Sequence, residues 1–215
     1  MAPSCTAASS PPGDGGETRG IQKNFAQEVA AVLPTRDPQD HRPAVLMAED
    51  EGRFGRIDRP RRCWAPKPTR PRVPRQIGRE FVHVFAAVCA KLGQLTALIL
   101  PRANTEMMSL FLGHLAEEFR DYFIMLLLDR AGWHRAKGLQ VPENIRLLPQ
   151  PAHSPELNPA EHVWEELREK TLPNQSFDSL DLLIDKLCEG LPELAADEGR
   201  VRSMTDFPYM RINTS

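Results

Sequence analysis

Phe123-Ile124-Met125-Leu126-Leu127-Leu128, closed by Asp129, is a run without a polar side chain. A stretch so short and so apolar reads as a strand buried on both faces, as in the middle of an α/β sheet. Just upstream, Thr105–Arg120 carries apolar residues at 107, 108, 111, 112, 115 and 119, the stripe of a helix that covers such a strand. Ala44–Asp50 (AVLMAED) predicts a second buried strand that runs into acidic residues. Phe81–Cys89 (FVHVFAAVC) and Gln94–Leu100 (QLTALIL) flank Lys91-Leu92-Gly93 and predict a hairpin. Downstream follow a short strand at Ile145–Leu148 and helices over Pro159–Thr171 and Phe177–Leu191, the latter amphipathic through Leu180, Leu183, Ile184 and Leu187. Ile21–Leu33 predicts a short amphipathic helix that stops before Pro34. An antiparallel start followed by strand–helix crossovers implies an α/β fold, a mixed sheet with helices on both faces.

The remaining composition sets limits. At 215 residues and 41% hydrophobic content the chain supports one domain with a sizeable core. We expect a disordered Pro/Gly/Ser-rich tail over 1–20, a folded domain over 21–210 and a short C-terminal tail over 211–215. The apolar runs fall far short of the roughly 18–20 residues of a membrane span, and the N-terminus lacks a secretory pattern. A cytoplasmic protein is therefore expected. Cys5, Cys63, Cys89 and Cys188 form no CxxC pair, which argues for buried free thiols over a zinc or disulfide framework. A net charge of −2 argues against a nucleic-acid partner only if charge is spread evenly, and it is not. Residues 52–91 hold 11 basic and 2 acidic side chains, a local +9 between acidic flanks.

Three carboxylates sit where this sheet could gather them. Asp50 closes the first strand, Asp129 closes the buried one (129 − 50 = 79 residues on), and Glu161 follows (161 − 129 = 32) in the first turn of a helix. If the two strands are parallel neighbours, their carboxyl ends lie side by side, where α/β sheets place their sites. Carboxylates converging on one cleft need compensation, and Mg²⁺ is a natural partner. Each acid also has a plain structural reading. Asp50 and Asp129 could be turn formers, and Asn158-Pro159-Ala160-Glu161 reads as N-cap to N3, making Glu161 a capping-box acid.

At these residues the chain resembles a known family. Asp50-Glu51-Gly52-Arg53-Phe54-Gly55, Leu128-Asp129-Arg130-Ala131-Gly132-Trp133-His134 and Ser154-Pro155-Glu156-Leu157-Asn158-Pro159-Ala160-Glu161-His162-Val163-Trp164 are similar to the signature blocks of insertion sequence 630 transposases, in the mariner-like superfamily. The resemblance runs from about Phe25 to Pro208. It implies an RNase H-like catalytic (DDE endonuclease) domain whose triad is Asp50, Asp129 and Glu161. It also implies DNA cleavage and strand transfer with two Mg²⁺ (or Mn²⁺) ions, Asp50 bridging and the other two as outer ligands. Two details depart from the family. Arg130 stands where Asn is common, and the step to Glu161 is a few residues short, consistent with a trimmed loop near Gln140–Asn144.

The partners implied are double-stranded DNA, as element ends and target, and either a second copy or a protein supplying a helix-turn-helix domain. The 49 residues ahead of Asp50 are too few for the recognition modules of full-length relatives, so we expect half of a split gene or a truncated copy. In action such a protein is nucleoid-associated. A catalytically silent fragment that modulates full-length transposase, and an unrelated RNase H-like nuclease, are the competing readings. Candidate DNA contacts are Arg53, Arg56, Arg59, Arg61, Arg62, Lys67, Arg70, Arg72 and Arg75, in a proline-rich stretch read as an extended loop, together with His134. His134 and His153 flank the motifs and could line the cleft, whereas His83 and His114 read as structural. Trp164 reads as packing its helix on the sheet, and Met107 and Met108 as core filler.

Overall fold

The computed structural model describes residues 27–56, 66, 80–150, 158–173 and 175–211. The expected tail over 1–20, nearly all of the basic proline-rich stretch, His153, Cys5 and Cys63 lie outside them. Residues 27–32 form the helix α1, the described part of the one expected over Ile21–Leu33. Five strands follow: β1 (Ala44–Gly55), β2 (Phe81–Cys89), β3 (Gln94–Leu100), β4 (Phe123–Leu128) and β5 (Ile145–Pro149). Helix α2 (Thr105–Glu118) joins β3 to β4, and α3 (Glu161–Glu166), α4 (Leu180–Ala196) and α5 (Glu198–Thr205) follow β5. The sheet order is β3-β2-β1-β4-β5. β1 and β2 pair antiparallel, as do β2 and β3, while β1 with β4 and β4 with β5 are parallel. This is the expected mixed sheet of an RNase H-like α/β fold. No helix among the described residues is long and apolar enough to cross a membrane.

Strand alternation divides the core in two. Val45 and Met47 of β1, with Ile124, Leu126 and Leu128 of β4, pack on Met108, Phe111, Leu112 and Leu115 of α2. Ala44, Leu46 and Ala48, with Phe123, Met125 and Leu127, pack on Val163, Trp164, Leu183, Leu187 and Val201 from the other helices. Because β4 feeds both cores it is buried at every position, which is why its sequence is apolar throughout. Full burial of one such side chain stabilises by about 1.5–3 kcal/mol. The α2 stripe is started by Asn104, whose side chain accepts from the Met107 N–H at 2.9 Å. Gly93 turns the β2–β3 hairpin at φ +70°, a conformation that L side chains rarely adopt.

Three boundaries differ from expectation. β1 runs past Asp50 to Gly55 because its second half pairs with β2, from Ala48 opposite Val88 to Gly55 opposite Phe81. Its pairing with β4 stops at Ala48 opposite Leu127, so the acidic residues lie on a strand that outruns its parallel neighbour. The helix expected over Pro159–Thr171 becomes α3 followed by a π-helical turn, Leu167–Thr171, closed by Leu172 N–H to Leu167 O at 2.9 Å. The wider turn buries Leu167 and Leu172 together. α4 begins after Ser179, which caps the Leu182 N–H, because the Phe177 N–H is held by Arg56 O at 2.9 Å. It continues beyond exposed Pro192 to bury Leu194. Of the described cysteines Cys89 is buried, as expected, but Cys188 is exposed, because α4 turns that position away from the core.

Candidate active site

The register of β1 with β4 pairs Ala44 with Phe123 and Ala48 with Leu127. The pairing ends there, so Asp50 and Asp129 each lie two residues past the last pair, at the carboxyl ends of parallel neighbours. Glu161 opens α3 and is exposed, and its charge acts on Asp50. The start of α3 is tied to β1 by Asn158, whose Nδ2–H donates to Glu49 O at 2.9 Å while Oδ1 accepts from the Ala160 N–H at 3.0 Å. The N-cap of α3 is Ala160, without a side-chain cap, and not Asn158 as expected, because the helix starts only at Glu161; Asn158 instead closes the turn before it and anchors it to the acidic strand.

Period-two alternation separates the Glu49-Asp50-Glu51 trio. Asp50 shares the face of Ala48, where Trp164 Nε1–H donates to its Oδ2 at 2.7 Å. Trp164 is buried and meets Phe54 edge-on at 5.8 Å, so it packs the helix on the sheet as expected and also holds a carboxylate. Burial pushes Asp50 up to about 7; the Trp164 bond opposes this, and the charges of Glu161 and Glu51 add to it. Gly52 makes room for the indole. A Cβ there would lie 2.7 Å from the Phe54 ring and 2.8 Å from Trp164.

Glu49 and Glu51 occupy the opposite face with His134, which stands in the short helical turn Gly132–Arg135. His134 Nε2 lies 2.9 Å from Glu51 Oε1 and 3.7 Å from Glu49 Oε2, and Nδ1 lies 2.9 Å from Asp129 Oδ1. Trp133 Nε1–H donates to the same Glu51 oxygen at 2.7 Å. Burial alone would lower the imidazole, but hydrogen bonds to Asp129 and Glu51, with the charge of Glu49, outweigh it and raise it to about 10. Glu49 is fully buried, neither carboxylate oxygen has a hydrogen-bond partner, and burial holds the group well above the usual carboxylate range. The His134 bond lowers Asp129, and the Ala131 N–H, 2.7 Å from Oδ1, lowers it further. Asp129 therefore forms a local turn, as its structural reading had it, while its carboxylate stays 56% exposed.

One set of described residues is gathered closely enough to hold a cation. Glu49, Glu51 and His134 bring one ligand atom each within 4.8 Å of one another, the one such set of three among the described residues, and could hold one metal ion. Asp50, Asp129 and Glu161 are not drawn together to that distance. Their chemistry nonetheless fits a divalent ion. A cation beside Asp50 would offset both its burial and the repulsion from Glu161.

The surrounding cations divide by occupation. Arg53 is exposed and lies over the Phe81 ring at 3.6 Å. Arg56 is held internally by Glu80 at 2.6 Å and by the carbonyls of Phe177 and Asp178. Arg59, Arg61, Arg62, Lys67, Arg70, Arg72 and Arg75 lie outside the described residues. Arg130 donates to Gln150 O at 2.9 Å and ties the ends of β4 and β5, a use for the position where the family often has Asn. Reading the sequence alone missed the Glu49–Glu51–His134 cluster and the Trp164–Asp50 bond. The Glu-Asp-Glu trio would have signalled the first had the strand been carried past Asp50.

Comparison with known proteins places the chain in a family. Residues 45–184, from β1 into α4, match the family described as DDE superfamily endonuclease, a span that includes Asp50, Asp129 and Glu161. A protein of Sinorhizobium fredii, y4pE/y4sA, is 35% identical over 125 residues, covering 58% of this chain and 93% of that one. Among solved structures, the Mos1 strand transfer complex aligns with a TM-score of 0.64 at 16% identity, over 98% of this chain and 64% of that one. The Mos1 mariner paired-end complex with Mn gives 0.63 at 16%, over 98% and 65%. The chain thus spans just under two thirds of the Mos1 chains, and at that identity the likeness is one of fold. The family match spans more than half of the chain and establishes that the chain belongs to the DDE superfamily of endonucleases.

Proposed function

We propose that this chain is the catalytic core of a transposase of the insertion sequence 630 group, cutting DNA strands and joining them to a target. The reading is supported by the family match over residues 45–184, by Asp50 and Asp129 each lying two residues past the last β1–β4 pair, and by the charge of Glu161 acting on Asp50. Asp50, Asp129 and Glu161 would hold the two Mg²⁺ or Mn²⁺ ions. When bound, such ions supply Lewis-acid stabilisation of the phosphoryl oxygens and a nucleophile of lowered pKa. The chain's own residues do the positioning. Trp164 holds one oxygen of Asp50, the Ala131 N–H and His134 hold Oδ1 of Asp129, and Asn158 pins the helix that carries Glu161.

Arg53, beside this face, and the basic residues of 59–75 would contact phosphates, with double-stranded DNA as element ends and target. One Mos1 structure is a paired-end complex with a transposon end, and the partners proposed here are a second copy of this chain or a protein that supplies a helix-turn-helix domain. The test mixes the full chain with DNA carrying the element ends, a DNA-binding partner and Mn²⁺, and maps nicked and joined strands. Strand joining that stops on chelation is expected. Strand joining that continues in excess chelator would defeat the reading.

A further inference from the structure

The cluster behind Asp129 has a use that the ligand set alone does not explain. His134 has a carboxylate at each ring nitrogen, Asp129 Oδ1 at 2.9 Å and Glu51 Oε1 at 2.9 Å, and its side chain is 1% exposed. Both ring nitrogens are thus occupied by protein partners, Nδ1 also lying 3.1 Å from the Asp129 carbonyl. Glu51 is itself fixed from the far side by Trp133 Nε1–H at 2.7 Å. The fully buried Glu49 turns its unpartnered carboxylate toward the same ring, with Oε2 at 3.7 Å. The chain Trp133–Glu51–His134–Asp129 runs from the core to the exposed carboxylate through three contacts of 2.7–2.9 Å.

We infer that His134 is a positioning residue: held in a buried seat of Glu49 and Glu51, it pins Oδ1 of Asp129 and presents Oδ2 to the metal. This rests on Asp129 being a ligand, as proposed above. The Glu49–Glu51–His134 set can take an ion only if His134 gives up its bond to Glu51. Groups that orient a metal ligand from behind commonly change metal affinity by about 10–100-fold when removed.

Mn²⁺ titration of the full chain, by calorimetry and by the electron paramagnetic resonance of free Mn²⁺, tests the inference. Asp129→Asn, His134→Ala, Glu51→Ala, Glu51→Gln and Glu49→Gln are compared, with thermal unfolding of each. His134→Ala and Glu51→Ala are expected to weaken Mn²⁺ binding about tenfold or more. Glu51→Gln, whose amide oxygen still accepts from His134, is expected to restore most of the affinity; a purely structural role would lower the melting temperature and leave Mn²⁺ affinity unchanged. If His134→Ala does not fold, Glu51→Ala against Glu51→Gln gives the same answer. Loss of Mn²⁺ in Asp129→Asn with wild-type affinity in both alanine variants would overturn the clamp alone. Unchanged binding in Asp129→Asn would overturn the ligand assignment and the clamp with it. An ion that survives Asp129→Asn but is lost in Glu49→Gln would make the cluster itself the ion site, and would also overturn the inference.

Discussion

Asp50, like the fully buried Glu49, carries a cost of burial. Its folded pKa, about 7, lies above the ordinary 3.8, so the folded protein holds a proton that the unfolded chain releases between those values. The sign follows: the stability Asp50 contributes is full below about pH 4 and is lost as pH rises through about 7. Asp50→Asn removes that loss. The metal-free variant is predicted to be more stable than wild type at pH 8 by about 2 kcal/mol, with little difference at pH 4, as read by urea unfolding. A divalent ion must displace the same proton, so Mn²⁺ affinity is predicted to rise with pH up to about 7 and then level. Gly52→Ala tests the packing beneath. Its Cβ would meet Phe54 and Trp164 well inside contact distance, and the predicted loss is about 1–3 kcal/mol, with weaker Mn²⁺ binding as the indole shifts from Asp50. Asp129 and Glu161 are legible as residues because one follows a buried strand and the other opens a helix, whereas Asp50 reads as closing a strand that in fact runs on to Gly55. The division of Glu49 and Glu51 from Asp50 was not legible, because the strand was expected to end at Asp50, and alternation orients only residues known to be in a strand.

At the scale of elements, the apolar period identified nearly everything that packs. β4 was bounded at Phe123 and Leu128, and α2 began at Thr105 as its stripe implied. What periodicity could not supply were boundaries set by partners. β1 lengthens because β2 pairs with it, and α4 starts late because Arg56 O takes the Phe177 N–H. The π turn at Leu167–Thr171 likewise reflects which leucines reach the core. Asn158 is the joint between an element and the site, since one side chain both closes the turn before α3 and holds β1. Asn158→Ala is predicted to cost about 1–2 kcal/mol, lowering the melting temperature by a few degrees, and to reduce strand cleavage through Glu161. Unchanged unfolding would show that the joint bears nothing.

For the whole molecule, a net charge of −2 conceals a +9 block over residues 52–91 that lies, in the sequence, between acidic segments. A DNA-processing surface needs that separation, with cations to hold phosphates and carboxylates for metal at the point of cutting. Binding of duplex DNA is therefore predicted to weaken at least about tenfold between 50 and 200 mM salt, and replacing Arg59, Arg61 and Arg62 with alanine is predicted to flatten that dependence. The central claim is that Asp50, Asp129 and Glu161 form one metal-dependent centre for phosphoryl transfer on DNA. Its most direct test is the nicking rate on element-end DNA in Mn²⁺, comparing wild type with Asp129→Ala that still unfolds cooperatively. The account predicts loss of at least about a thousandfold, the scale of removing a principal transition-state stabiliser. Nicking by Asp129→Ala within tenfold of wild type would contradict it.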